Sequence, residues 1–196
     1  MKFLFDLGGV FFDWDPKYFY KSIFSDEEMN YFLEKVCSNE WNIKQDAGRL
    51  ISDAEEEAIN LHPKYCKEIR MYYKNHRKMI KGTFKEAIDL LNYLKSKNYF
   101  CYVLSNWSAE TFVGMKRDYP FLNYFDGIII SGEEKLVKPN KKIFDLAIKR
   151  FNLIPNQTLF IDDRFENIRS AEKIGFKIVH LKKPNTINQL VRKFVK

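Results

Sequence analysis

Short apolar runs alternate with helical patterns along most of the chain. We predict strands at residues 2–7, 100–104, 127–130, 158–161 and 177–181, the last of which would be central in its sheet. We predict helices over about 83–97, from about 109, over 141–151 and over 165–173. Continuous apolar strands that alternate with helices are typical of a parallel sheet covered on both faces. The pattern therefore predicts an α/β fold.

One region departs from this alternation. Residues 16–81 carry many charges, few β-branched runs and several helix starts. Ser25 and Ser52 each precede a glutamate by three residues, which is the spacing of a helix capping box. We therefore predict that residues 16–81 form a helical insertion, and that residues 1–15 together with 82–196 form the core.

The composition argues against a disordered or membrane-spanning chain. Apolar residues make up 45% of the 196 residues, as in globular proteins. No apolar run approaches the ~20 residues of a membrane-spanning helix, and the first apolar run is too short for a signal peptide. The three cysteines lie far apart and form no CxxC pair, so we predict reduced thiols and a cytoplasmic protein.

The chain has a formal net charge of +7. Nucleic-acid binding would require a clustered basic stripe with stacking aromatic residues, whereas the lysines here are spread along the sequence. We interpret the acid-free tail at residues 182–196 as a solvated helical face. We therefore predict no nucleic-acid partner, although a positive field would attract anionic substrates.

Carboxylates stand at two of the predicted strand ends. Asp6 closes the first strand, and Asp162 with Asp163 closes the strand at 158–161. Ligands bind at the carboxyl ends of the strands in an open parallel sheet, so these groups should converge at one edge. Three clustered carboxylates repel one another unless they are protonated or bridged by a cation. Oxygen ligands favour a hard ion, and Mg²⁺ suits carboxylates that share it with a substrate phosphate.

Three further polar residues are predicted at the same edge. Ser105 and Asn106 follow the strand at 100–104, and Lys138 precedes a proline that fixes the local backbone. The ammonium of Lys138 could pair with Asp6 and with a phosphoryl group as a point charge. The hydroxyl of Ser105 could donate a hydrogen bond to a phosphate oxygen. Together these residues favour a site for a small phosphorylated molecule.

Four segments carry a resemblance to a known family. Residues 5–10, 104–106, 138–139 and 160–163 are similar, in order and spacing, to the four motifs of the haloacid dehalogenase-like hydrolase superfamily. The match covers essentially the whole chain, and residues 16–81 resemble the small helical cap of that superfamily. The resemblance implies a Rossmann-like parallel sheet core with an inserted helical cap. It is strongest to the branch that contains sugar-1-phosphate phosphatases.

The resemblance also implies roles for the residues that face the phosphate. Asp6 would attack phosphorus and form an aspartyl-phosphate that water then hydrolyses, so that one difficult step becomes two. Lys138 would take part in catalysis, and Ser105, Asn106 and Lys138 would hold the phosphoryl oxygens. The implied substrate is a small phosphorylated metabolite.

The same resemblance implies a Mg²⁺ cofactor. Asp6, Asp163 and Asp162 would bind the ion through their carboxylates, and Gly8 would add its backbone carbonyl. The helical cap would close over the site, exclude water and select the substrate. The implied activity is that of a Mg²⁺-dependent phosphoric monoester hydrolase.

Gly8 departs from the pattern of many phosphatases in the superfamily. These enzymes have a second aspartate at this position, which protonates the leaving group and later activates water. Glycine cannot do this, and the loss of a general acid–base group costs about 10²–10⁴-fold in rate. A phosphatase could therefore act on a good leaving group, such as an anomeric oxygen, or use another donor, such as Asp13 or Asp15.

Two alternatives to a phosphatase remain open. A 2-haloacid dehalogenase would use Asp6 to displace halide from carbon without a metal, and halide needs no proton to leave. Asp162 and Asp163 argue against it, because such dehalogenases usually lack this acidic pair. The second alternative is a binding or regulatory protein on a disabled fold, against which the other intact motifs argue.

Several side chains in or next to the insertion are candidates for selecting the substrate, namely Trp14, Tyr18, Trp41, Gln45 and Arg49. Aromatic residues in a helical cap serve packing more often than ligand contact. Arg49 could hold an anionic part of the substrate, although a solvated arginine is the commoner arrangement.

Overall fold

Seven strands form two sheets in the computed structural model, which describes residues 1–195. The strands are β1 (Lys2–Phe5), β2 (Phe12–Trp14), β3 (Ile80–Thr83), β4 (Phe100–Ser105), β5 (Gly127–Ile130), β6 (Thr158–Asp162) and β7 (Lys177–His180). Five of them form a parallel sheet in the order β5-β4-β1-β6-β7, and β2 pairs with β3 as an antiparallel ribbon. The predicted α/β class is confirmed. Lys196, the last residue of the predicted core, lies outside the described residues.

Helices cover both faces of the parallel sheet and fill the insertion. The α-helices are α1 (Lys17–Tyr20), α2 (Asp26–Tyr31), α3 (Asn39–Asp46), α4 (Ile51–Leu61), α5 (Cys66–Lys74), α6 (Lys85–Ser96), α7 (Ala109–Phe112), α8 (Met115–Asp118), α9 (Ser131–Glu134), α10 (Lys141–Phe151), α11 (Phe165–Ile174) and α12 (Ile187–Val191). A π-helical segment, Phe32–Val36, continues α2.

Alternate side chains of the parallel sheet enter two separate apolar cores. On β1, Phe3 and Phe5 pack on one face and Leu4 packs on the other, and all three are fully buried. Strands β4 and β6 repeat this alternation. Successive side chains of a strand point to opposite faces, so a strand that is apolar at every position is covered on both. Here α6 covers the first face, and α10 and α11 cover the second.

The segment between β2 and β3, called the cap below, contains helices α1 to α5 and has an apolar core of its own. Its buried residues run from Phe19 to Met79 and come from all five helices. The ribbon of β2 and β3 joins both ends of the cap to the core, with Thr83 paired to Phe12. The predicted boundary between residues 81 and 82 therefore falls inside β3.

Some predicted details of the elements are wrong. The helix predicted from about residue 109 does begin there, as α7, but it is short. Gly114, whose backbone is left-handed (φ +80°), separates it from α8. The strand β7 lies at the edge of the sheet and is not central. Ser25 caps α2 as predicted, but Ser52 does not cap α4. That helix begins at Ile51, whose N–H donates to Glu110 of the core at 2.8 Å.

The turn after α3 brings the cap into close contact with the core. Gly48 has a φ of +90°, and a Cβ on it would lie 2.8 Å from Lys135 Cγ and 2.9 Å from the Gly132 carbonyl oxygen. The Ser131 hydroxyl donates a 2.6 Å hydrogen bond to the carbonyl of Asp46, the last residue of α3. The end of α3 is therefore held directly against the core.

The helices are short, and the three cysteines form no disulfide within the described residues. Within residues 1–195, each helix is too short or too polar to cross a lipid bilayer. Cys37, Cys66 and Cys101 are all free thiols, as predicted. Burial raises the pKa of the Cys101 thiol to about 12, so this group remains protonated and unreactive at neutral pH.

We expect Gly48→Ala to destabilise the protein by about 1–3 kcal/mol. A positive φ is unfavourable for alanine, and the added Cβ would collide with the core. Gly82→Ala is the matched control, since nothing lies within 4 Å of the added Cβ. We expect the control to change stability by less than ~1 kcal/mol. Urea unfolding measures both variants, and equal stability of the two would contradict the close docking of α3.

Candidate active site

Asp6 follows β1, the middle strand of the parallel sheet. Its backbone N–H donates to the Ile161 carbonyl at 2.9 Å, which fixes it at the carboxyl edge of the sheet. The chain then turns sharply, since the N–H groups of Phe11 and Phe12 both donate to the carbonyl of Leu7. Asp6 itself is only 6% exposed, so its carboxylate is largely withdrawn from water.

The ammonium of Lys138 lies buried between two carboxylates. Its Nζ is 3.0 Å from Asp6 Oδ1 and 2.6 Å from Asp162 Oδ2. Burial lowers the pKa of Lys138, but Asp162 and Asp6 more than offset this effect, so that the pKa lies above its ordinary value. Removing one member of such a buried set leaves an uncompensated charge, which is strongly destabilising. Lys138 therefore stays cationic and fixes the positions of both carboxylates.

Asn106 holds the backbone of Lys138 through a reciprocal pair of hydrogen bonds. Its Nδ2 donates to the Lys138 carbonyl, and its Oδ1 accepts from the Lys138 N–H, both at 2.9 Å. Ser105 ends β4 at the same sheet edge and is fully buried. Its hydroxyl has no hydrogen-bond partner within the described part of the chain. Buried polar atoms are rarely left unpaired, so Ser105 retains an unused donor at this edge.

Asp162 is occupied by neighbouring donors. Its Oδ2 receives the Lys138 ammonium, and its Oδ1 accepts from the Arg164 N–H at 2.8 Å. The Asn167 amide donates to both oxygens, at 3.0 and 3.1 Å. Burial raises the pKa of Asp162, and Lys138 opposes that effect. Both oxygens are thus engaged inside the protein.

Asp163 lies beside Asp6 and carries a carboxylate that repels its neighbours. Oxygens of Asp6, Asp162 and Asp163 lie within 4.8 Å of one another. Burial raises the pKa of Asp163 to about 7, and the charges on Asp6 and Asp162 add to that effect. Carboxylates arranged in this way gain from a bridging cation.

Gly9 leaves the space that Asp163 occupies. Its φ is +66°, and a Cβ built on it would lie 2.4 Å from Asp163 Oδ2 and 2.5 Å from Asp163 Cγ. Gly8 differs, since nothing lies within 4 Å of a Cβ on it. The second glycine of the turn is therefore required by the fold of the site, whereas the first leaves open space beside Asp6.

A cavity of about 370 Å³ lies over this sheet edge, between the core and the cap. Asp6 and Asp163 line it from the core, and Asn42, Asp46, Tyr73 and His76 line it from the cap. The sequence did not identify these cap residues or Asn167. Each is a polar or aromatic residue on or next to a helix, where the same pattern also fits an exposed face or ordinary packing.

The predicted cap candidates divide into one residue in the cavity and others outside it. Trp14 lines the cavity, and its buried Nε1 has no hydrogen-bond partner in residues 1–195. Trp41 and Gln45 are buried in the cap, where the Gln45 amide donates to the Trp41 carbonyl at 2.6 Å. Arg49 is paired with Glu57 instead of facing the cavity.

Asp13 and Asp15, the two carboxylates that were candidates to replace an aspartate at Gly8, also lie outside the cavity. Asp13 accepts a 2.7 Å hydrogen bond from the Tyr18 hydroxyl, and Asp15 accepts one of 2.8 Å from the Lys17 N–H. Neither Asp13, Asp15 nor Tyr18 lines the cavity. Their contacts organise the start of the cap.

The family to which the chain belongs is shown by comparison with known sequences. A family described as haloacid dehalogenase-like hydrolase matches residues 3–181. The chain therefore belongs to this family of hydrolases, as its four motifs predicted.

Curated relatives include phosphatases and dehalogenases. The chain is 23% identical over 192 residues to a sesquiterpene phosphatase of Aspergillus oryzae, which covers 91% of this chain and 88% of that protein. It is 34% identical over 107 residues to a D-ribitol-5-phosphate phosphatase of Bacteroides thetaiotaomicron, and this match spans about half of each protein (49% and 51%). Two (S)-2-haloacid dehalogenases also align, over 58% and 53% of this chain.

A solved structure supports the fold. A family enzyme of Bacteroides thetaiotaomicron, in complex with magnesium and inorganic phosphate, superposes with a TM-score of 0.69 at 23% identity. The match covers 91% of this chain and 92% of that one. The predicted parallel sheet of this family is therefore confirmed.

Asp163→Asn tests the effect of burial on the Asp163 carboxylate and its repulsion by Asp6 and Asp162. Because the pKa of Asp163 is raised from 3.8 to about 7, the folded state binds a proton that the unfolded chain releases, and stability falls as pH rises between these values. With a chelator present, we expect the variant to exceed wild type in stability by about 1–2 kcal/mol at pH 8. The difference should narrow toward pH 4.

Denaturant unfolding across this pH range measures the difference. Asp145→Asn, which removes an exposed carboxylate that pairs with Lys141, is the control and should show no such trend. A stability difference between Asp163→Asn and wild type that is independent of pH would contradict the interpretation.

Proposed function

We propose that the chain is a Mg²⁺-dependent phosphatase of a small phosphorylated metabolite, which acts through an aspartyl-phosphate on Asp6. The observation that carries this proposal is the arrangement of Asp6 and Asp163 on the floor of the cavity, with the Lys138 ammonium buried behind Asp6. This arrangement offers a nucleophile, a cation site and a fixed positive charge within one small space. The phosphatases among the curated relatives support the same reaction.

Asp6 is the proposed nucleophile. Its N–H bond to Ile161 and its ion pair with Lys138 hold the carboxylate in place, so that little freedom is lost when it attacks. Attack on phosphorus releases the alcohol, and hydrolysis of the resulting aspartyl-phosphate returns the free carboxylate. Lys138 and the unpaired hydroxyl of Ser105 are the proposed donors to the phosphoryl oxygens. Asn106, which lines the cavity, holds the Lys138 backbone beside them.

The residues at this edge fit a magnesium ion. Oxygens of three carboxylates lie within 4.8 Å of one another, and burial together with their mutual repulsion raises the pKa of Asp163. A divalent cation relieves this repulsion. We propose that Asp6 and Asp163 hold the ion together with the Gly8 carbonyl. When bound, Mg²⁺ would neutralise phosphate charge and allow an anionic nucleophile to approach.

Asp162 was also predicted as a magnesium ligand, and its contacts favour a different role. Both of its oxygens are engaged by Lys138, Asn167 and the Arg164 N–H. We propose that Asp162 holds the Lys138 ammonium in position, and that Asp163 is the carboxylate of this pair that binds the metal.

The size of the cavity supports a small substrate. Its volume of about 370 Å³ lies at the lower end of the range for small-molecule sites. One of the relatives is named for a sugar-alcohol phosphate, and we propose a phosphorylated sugar or polyol as the substrate class for this chain.

A haloacid dehalogenase is the second candidate. The absence of an acid at Gly8 favours it, since halide leaves without a proton, and such dehalogenases are among the relatives. A carboxylate at Asp163, close to Asp6 and with a raised pKa, argues for the phosphatase, because a metal-free displacement gains nothing from that repulsion.

We expect phosphate release that requires Mg²⁺, stops with chelator and is abolished by Asp6→Asn. The assay offers an aryl phosphate, glucose-1-phosphate and 2-chloropropionate to the wild type and the variant, each with Mg²⁺ and with chelator. Asp145→Asn, on the exposed face of α10, serves as control and should keep full activity. Chloride release from 2-chloropropionate at the same rate with and without chelator would identify a dehalogenase. No turnover of any of the three compounds would identify a binding protein.

Gly9→Ala should weaken metal binding, because its Cβ would displace Asp163. We expect the Mg²⁺ concentration for half-maximal activity to rise by about 10–100-fold, as for other changes that disturb a metal ligand. Gly82→Ala is the control, since Gly82 lies outside the site and its added Cβ also meets no atom within 4 Å. Equal Mg²⁺ dependence of the two variants would contradict the role of Asp163.

A further inference from the structure

The open space at Gly8 raises the question of which group protonates the leaving oxygen. Apart from the adjacent residues, no atom of residues 1–195 lies within 4 Å of a Cβ at this position. The fold therefore leaves room for a side chain where Gly8 provides none. Within residues 1–195, the cavity is lined by four titratable side chains that are not the proposed metal ligands, namely Asp46, Tyr73, His76 and Arg164.

Three of these four groups are poor proton donors. The Tyr73 hydroxyl donates to Asn42 Oδ1 at 2.9 Å, and burial raises its pKa. Burial, with a smaller contribution from Arg77, lowers the pKa of His76 to about 4, so its ring is neutral near pH 7. Arg164 is permanently charged and pairs with Glu166.

Asp46 remains, and the fold holds it firmly at the cavity wall. It ends α3, and its carbonyl accepts from Ser131 Oγ, which also accepts from the Trp107 N–H at 2.9 Å. Its Oδ2 accepts from the Asn42 amide at 3.2 Å. Gly48, two residues later, allows the close approach to the core described above. A side chain of the cap is thereby fixed over the same cavity as Asp6.

The surroundings of Asp46 favour a carboxyl that can exchange a proton near neutral pH. Burial raises its pKa to about 7, and the charge on Asp6 acts in the same direction. The Ser108 N–H and Arg164 oppose this shift. Tyr72 and Tyr73 also face it from α5 and remain uncharged, because burial raises both of their pKa values.

We propose that Asp46 is the general acid and base of the reaction and replaces from the cap the aspartate that Gly8 lacks. In the first step Asp6 forms a bond to phosphorus, the bond from phosphorus to the leaving oxygen breaks, and that oxygen takes the proton of Asp46. In the second step the Asp46 carboxylate takes a proton from water. The water oxygen attacks phosphorus, and the Asp6 oxygen leaves, so that inorganic phosphate and both original carboxyl groups are restored.

This inference rests on the proposed phosphatase function, and the two are separated by leaving groups of different basicity. The probes are aryl phosphates from 4-nitrophenyl phosphate, whose leaving group needs little protonation, to unsubstituted phenyl phosphate, whose leaving group needs more. For Asp46→Asn we expect a loss of about 10²-fold or more on phenyl phosphate and only a few-fold loss on 4-nitrophenyl phosphate. Asparagine keeps an oxygen that accepts from Asn42, and thermal unfolding checks that the variant folds.

Two further variants complete the test. Asp53→Asn, an exposed carboxylate of α4 in the cap, is the control and should leave both rates unchanged. Adding Gly8→Asp to Asp46→Asn should restore at least about tenfold of the phenyl phosphate rate, because an acid then stands beside Asp6 again.

Three outcomes would overturn the role of Asp46: equal losses of Asp46→Asn on both probes, no loss on phenyl phosphate, or a wild type that already discriminates steeply between the probes. A wild type that releases phosphate neither from the aryl phosphates nor from glucose-1-phosphate would overturn the proposed function itself.

Discussion

The site depends on one buried positive charge. The Lys138 ammonium has no access to water and lies between Asp6 and Asp162, at 3.0 and 2.6 Å. Removing charges from water is costly unless each has a partner with good geometry, so the three groups must stay together for the core to fold. This requirement fixes Asp6 at the end of the middle strand. The remaining contacts of the site, including the Asn106 pair with the Lys138 backbone, maintain that arrangement.

The pair of adjacent aspartates shows how burial separates two similar groups. Asp162 points into the protein and uses both oxygens on internal donors. Asp163 lines the cavity, and its pKa is raised by burial and by Asp6 and Asp162. One carboxylate therefore supports the buried lysine, while the other is left with a repulsion that a cation can relieve.

Glycines decide how closely the parts of the site approach one another. Because Gly9 has no Cβ, the Asp163 side chain fits against it. Because Gly48 has no Cβ, the end of α3 packs directly against the core. The second contact matters because it places Asp46 on the cavity wall. The cap thereby covers the cavity and also presents the Asp46 carboxyl group to it. This is the proposed acid for the leaving oxygen, in place of a side chain at Gly8.

The sequence by itself determined the class of fold, most strands and the four motif segments, because apolar periodicity and strand-end residues are local properties. It also predicted that Asp6, Ser105, Asn106, Lys138 and the two aspartates lie at one edge of the sheet. Only the tertiary structure decided that Asp162, and not Asp163, has both oxygens hydrogen-bonded inside the protein. It also decided that β7 is an edge strand and that Asp46 lines the cavity. A polar residue on a helix has the same pattern whether it meets water or a cavity, and the difference arises from what packs against it.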